Sequence, residues 1–127
     1  VRVSAVYEYL KYETPTGDLK RNFWGVAGDI PLGGGNIYAF YGKAADGKGG
    51  AADDTPRINS LAHGSDTSAQ QFEIGYVYPL SKRTRVNAGY VVIKNAQNAN
   101  YTFNVNGFPV ATGGDPQGFA LGIIHNF

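Results

Sequence analysis

From Gln70 to Leu80 the chain reads QQFEIGYVYPL, and Phe72, Ile74, Tyr76, Tyr78 and Leu80 alternate with Gln71, Glu73, Gly75 and Val77. A period of two puts one set of side chains on one face of an extended strand and the other set on the opposite face. The same period recurs along the sequence, whereas helical spacing of apolar residues is hard to find. VRVSAVYEYLKY sets Val1, Val3, Ala5, Tyr7 and Tyr9 against Arg2, Ser4 and Glu8, with Val6 and Leu10 softening the contrast. NFWGVAGDIPL sets Trp24, Val26 and Ile30 against Asp29. NIYAFYGK alternates with aromatics on both faces, and RVNAGYVVIK sets Val86, Ala88, Tyr90 and Val92 against Arg85, Asn87 and Gly89. GFALGIIHNF closes the chain with Phe119, Leu121, Ile123, His125 and Phe127 in phase. These segments predict six strands, each about ten residues or longer.

Connections between the strands sort by length. PLGGGN and SKRT are short, whereas the Thr14–Lys20 segment and the loops 44–68 and 95–116 are longer. In an up-and-down sheet the short turns then fall at one end and the longer loops at the other. Transmembrane barrels show this asymmetry, with strands of about 9–11 residues. A soluble sandwich would bury the aromatic face and wet the polar one, and alternation alone does not separate the two. The loop sorting favours the membrane barrel.

Composition excludes several classes. The 127 residues hold no Cys, so disulfides and thiolate metal sites are excluded. The net charge of +1, without a concentrated basic face, argues against a nucleic-acid partner. No apolar run approaches the roughly 20 residues of a membrane helix, which leaves a barrel untouched. The chain opens on Val1 with neither Met nor a signal peptide and reads as processed, trimmed or partial.

Few motifs carry chemistry. GKAADGK at 42–48 matches the start of a phosphate-binding loop, but Gly49 follows where Ser or Thr is needed, and no helix pattern succeeds it. Asp46, Asp53 and Asp54 lack the regular spacing of a calcium loop. His63 and His125 are too few and too far apart for a metal site or a triad. No Ser–His pairing is indicated, so no enzyme, cofactor or metal is expected.

The terminal aromatic carries the most specific signal. GFALGIIHNF resembles the C-terminal strand of Gram-negative outer-membrane proteins, which ends on an aromatic, usually Phe. YPLSKRTRVNAGYVVIKN is similar to the penultimate hairpin of the general porins of beta-proteobacteria. NIYAFYGKAADGKG and YEYLKYETPTGDLKRNFWGVAGD also resemble strands and loops of that family, so the likeness covers nearly the whole chain. It implies an antiparallel transmembrane β-barrel, trimeric and 16-stranded in the family, of which these are the last six strands. The single domain 1–127 is then incomplete, because even the smallest single-chain barrels use about eight strands.

On this reading Tyr7, Tyr9, Trp24, Tyr76, Tyr78, Phe119 and Phe127 face outward. Arg2, Glu8, Asp29, Glu73, Arg85 and Asn87 line the pore. The family resemblance implies that Phe119, Leu121, Ile123 and Phe127 are read by the barrel assembly machinery, with His125 departing from the apolar preference. It further implies an outer-membrane location, homotrimer partners, a setting of lipid bilayer and lipopolysaccharide, and passage of ions and small hydrophilic solutes. The family's narrowest point is built in the N-terminal half, so this chain is not expected to supply it. A soluble β-sandwich or barrel binding carbohydrate or protein is the alternative reading.

Overall fold

A computed structural model of the protein describes residues 1–51, 63–103 and 109–127. Six strands follow one another: β1 (Arg2–Thr14), β2 (Gly17–Leu32), β3 (Gly35–Ala44), β4 (Ala69–Pro79), β5 (Thr84–Asn95) and β6 (Gln117–His125). They form one antiparallel sheet in sequence order, β1 to β6, and no helix occurs among the described residues. This is the all-β meander that period-two patterning with short turns demands. Strands β1 and β6 are the two edges of the sheet.

The turns at one end are tight. Gly33 and Gly34 link β2 to β3 with φ of 58° and 85°, the doubly left-handed geometry that a two-residue hairpin needs and that glycine adopts without strain. Ser81 organises the β4–β5 turn, its Oγ accepting from the Arg83 and Thr84 amides at 3.2 and 3.0 Å.

At the opposite end, one expectation is corrected. The Thr14–Lys20 segment is not a longer loop; only Pro15 and Thr16 separate β1 from β2. The strands run on past the sheet body, with Leu10 paired to Arg21 and Tyr12 to Leu19. Turn-forming residues in TPTGD hid this extension. Pairing continues because the β3–β4 loop follows β2 upward: the Lys20 amide donates to Lys48 at 2.7 Å and the Lys48 amide donates back at 2.8 Å.

Burial is concentrated at this loop end. Leu19 and Ala51 form a small cluster with Tyr12 against it. Thr67 is buried, accepting from the Gly47 amide at 2.8 Å and donating to the Gly64 carbonyl at 2.7 Å. The body of the sheet has no second layer over its faces among the described residues, and Val3, Ile74, Leu121 and Ile123 stand exposed.

Candidate functional site

In an antiparallel pair, directly opposed residues point to the same side of the sheet. Following the register from strand to strand therefore sorts every strand residue onto one of two faces. One face carries Arg2, Glu8, Asp29, Glu73, Arg85 and Asn87, all six of the residues expected to line a pore. The other carries Tyr7, Tyr9, Trp24, Tyr76, Tyr78, Phe119, Leu121 and Ile123. Phe127 lies beyond β6, its ring 4.8 Å from that of His125 and fully exposed.

The apolar face has an internal order. Between its two borders it holds Val, Ile, Leu, Ala, Gly and aromatic side chains, with no charge and no amide. Tyr9, Trp24, Tyr41, Phe72, Tyr90 and Phe119, one from each strand, form its border on the loop side. Neighbouring rings touch: Trp24 and Tyr41 meet edge-on at 5.3 Å, and Tyr41 and Phe72 lie 4.8 Å apart. Beyond this border the same face turns charged, with Lys11, Glu13, Asp18, Lys20, Lys43 and Lys94. On the short-turn side Tyr76 and Tyr78 stack at 6.3 Å.

The aromatic border is a diagonal. The paired row from Phe119 runs through Tyr90, Ile74, Ala39 and Gly28 to Val3, six residues before Tyr9. Six residues at about 3.3 Å against five strand spacings of about 4.8 Å means that the strands lean about 40° across the band. From Val1 to Tyr9 the band is then about 20 Å tall once the lean is allowed for.

The polar face is textured by hollows. Arg2, Asp29, Tyr38 and Glu73 line one of about 350 Å³, and Arg2 and Asp29 are direct cross-strand partners. Arg85 and Asn87 stand apart from it on β5, toward the short turns. Aromatic rings lie down on glycines here. Tyr38 covers Gly75 so closely that an added Cβ would overlap its ring, and Phe23 and Phe40 cover Gly42. These rings explain why β3 carries aromatics on both faces.

Glu8 lies toward the loop end, and there the structure adds a residue that the sequence reading missed. Arg21 shares the polar face, with its side chain only 13% exposed. Its Nη2 donates to Glu8 Oε1 at 3.3 Å and its Nη1 to the Tyr101 hydroxyl at 3.2 Å. The guanidinium also lies 5.5 Å from the centre of the Tyr101 ring, within cation–π range. Extending the phase of Asp29 and Phe23 upstream would have found Arg21, had the segment before Asn22 not been read as a turn.

The remaining candidates have ordinary roles. Asp46 caps the loop, accepting from the Thr67 amide at 3.0 Å, and Asp53 and Asp54 lie outside the described residues. Among the described residues no group of His, Asp and Glu could hold a metal. Thr84 Oγ1 and His125 Nδ1 share a 2.9 Å hydrogen bond across β5 and β6. In the β5–β6 loop, Asp115 accepts from Lys94 Nζ and from the Asn95 amide, both at 2.9 Å. The Lys94 ammonium and then the Asn95 N–H hold its carboxyl below the usual carboxylate range.

A family model described as Gram-negative porin matches residues 1–100, which takes in β1 to β5. No curated protein and no solved structure matches the chain.

Proposed function

The chain belongs to the Gram-negative porins, and from that premise we propose that it forms part of the wall of a water-filled outer-membrane channel for ions and small hydrophilic solutes. The observation that carries this reading is the division of the sheet into two chemically opposite faces. The apolar band leans about 40°, as strands in outer-membrane barrels do, and its height approaches the roughly 25 Å of their lipid-facing belt. The aromatic diagonal fits an interfacial girdle, and the lysines and acids beyond it fit the headgroup layer.

On the other face, Arg2, Glu8, Asp29, Glu73, Arg85 and Asn87 would set the field of a wet lumen. Transport would be passive, with size and charge as the filters and the solute gradient as the only driving force, and no catalytic step is proposed. The family membership supports the outer membrane as its location.

An open sheet in lipid leaves two strands' worth of backbone groups unpaired, which hydrocarbon does not tolerate. Six strands are also too few to enclose a lumen. We therefore propose that the sheet is completed by further strands as the closing part of a 16-stranded barrel, assembled as a trimer amid lipid and lipopolysaccharide. Phe119, Leu121, Ile123 and Phe127 would form the segment read by the assembly machinery. The intact mass of the polypeptide extracted from outer membranes tests the first part. A mass two to three times the 13.6 kDa of this chain supports completion within one polypeptide, and a mass equal to it requires several copies. Channel function is tested in planar bilayers: Arg85→Glu should change ion preference while folding persists. Equal loss of folding in Arg85→Glu would instead mark the polar face as a packed core.

A further inference from the structure

The β5–β6 loop does not simply leave the sheet at β5. Its root is tied by Asn95, whose Nδ2 donates to the Tyr101 and Gly114 carbonyls at 2.9 and 2.6 Å. Asn95 Oδ1 accepts from the Tyr101 amide at 2.9 Å. From this anchor Tyr101 is projected back over the polar face to Arg21 on β2, three strands away, a crossing of about 14 Å. Beneath it lies a hollow of about 300 Å³ lined by Glu8, Arg21, Phe23, Gln71 and Ile93, with Gly42 and Ala44 leaving its floor low. Tyr101 thus reaches across an open space on the polar face and rests at its far side on one cation.

We propose that the Arg21–Tyr101 contact clasps this loop across the lumenal wall and that Arg21 is an ion-selectivity determinant of the channel, with Tyr101 as its positioning residue. The proposal rests on the channel reading and deepens it. Arg21 faces Glu8 from β1 and Tyr101 from the loop, and its Nε is buried without a hydrogen-bond partner among the described residues. The Glu8 carboxylate is about half exposed, so removing Arg21 uncovers a negative charge as well as deleting a positive one.

The test uses the complete porin in planar bilayers, reading single-channel conductance and the reversal potential across a salt gradient. Arg21→Gln should raise the cation-to-anion permeability ratio about threefold in 0.1 M salt, as expected for one unit charge about 7 Å from the ion path after screening. Arg21→Lys should restore the ratio but not the steadiness of the open level, because an ammonium lacks the planar fork that meets both partners. Tyr101→Ala should enlarge the conductance and make the open level noisy. A clasp with a purely structural role would alter stability and leave the reversal potential alone. The proposal is overturned if Arg21→Gln keeps the wild-type ratio, whatever its open level does. Should Arg21→Gln fail to assemble, Tyr101→Phe decides, because it removes only the hydroxyl that Arg21 meets: the open level must become noisier, and an unchanged open level overturns the clasp. Absence of conductance in the unaltered porin would overturn the channel reading instead.

Discussion

Replacing Ile74 by Arg sets the two faces against each other most directly. Ile74 lies inside the apolar band, two residues below Phe72 on β4 and paired to Ala39 and Tyr90, and 54% of it is exposed. In a barrel that exposed surface meets acyl chains. An arginine in an outer-membrane barrel costs about 2–4 kcal/mol at the bilayer midplane and about 0–1 near the interfaces, so about 1–3 kcal/mol at this depth. Losing the lipid-covered half of an isoleucine side chain adds about 1 kcal/mol. The expected destabilisation is thus about 2–4 kcal/mol, the sum of those two effects. At Glu73, one position earlier, the same substitution enters water and should cost less than about 1 kcal/mol, the range of an exposed charge change. At Tyr9, on the border, Arg should cost about 1 kcal/mol or less, since the penalty fades toward the interface. The assay is denaturant unfolding of the complete porin in lipid vesicles, followed by tryptophan fluorescence and by the heat-modifiable gel mobility of folded barrels. Equal losses at Ile74 and Glu73, or a larger loss at Glu73, would refute the face assignment.

Three further predictions concern other levels of the structure. Gly75→Ala should destabilise by about 1–3 kcal/mol, the usual cost of overpacking, because its Cβ would overlap the Tyr38 ring. Adding Tyr38→Ala should recover most of that loss in a double-mutant cycle. Deleting Phe127 should reduce the amount of folded protein in the outer membrane, read from heat-modifiable mobility in membrane fractions; undiminished assembly would remove it from the recognition segment. For Asp115 the depressed carboxyl pKa means that the ion pair with Lys94 stabilises above the ordinary carboxylate pKa of about 3.9 and is lost as pH falls through the lower folded value. Asp115→Asn should therefore lower Tm at pH 7, and the gap to wild type should begin to narrow below about pH 3.9 and close once pH has fallen past the lower folded value; a gap that does not narrow there would contradict the assignment.

The sequence by itself determined which side each strand residue takes. Alternation is a local property of extended backbone, so Glu73 and Ile74 must oppose each other wherever their strand is placed. All six expected pore-side residues accordingly share one face. The loop sorting was legible for the same reason in all but one place, where TPTGD concealed a two-residue turn within a long hairpin. The tertiary structure decided what depends on pairing. The aromatic diagonal and its lean follow from the register of five strand pairs, and no single segment carries that information. Tyr38 on β3 finds its purpose only when Gly75 on β4 is brought beneath it. Arg21 and Tyr101, 80 residues apart, meet only because the sheet sets β2 within reach of the loop after β5, a distance fixed by strand spacing rather than by anything in either residue's neighbourhood.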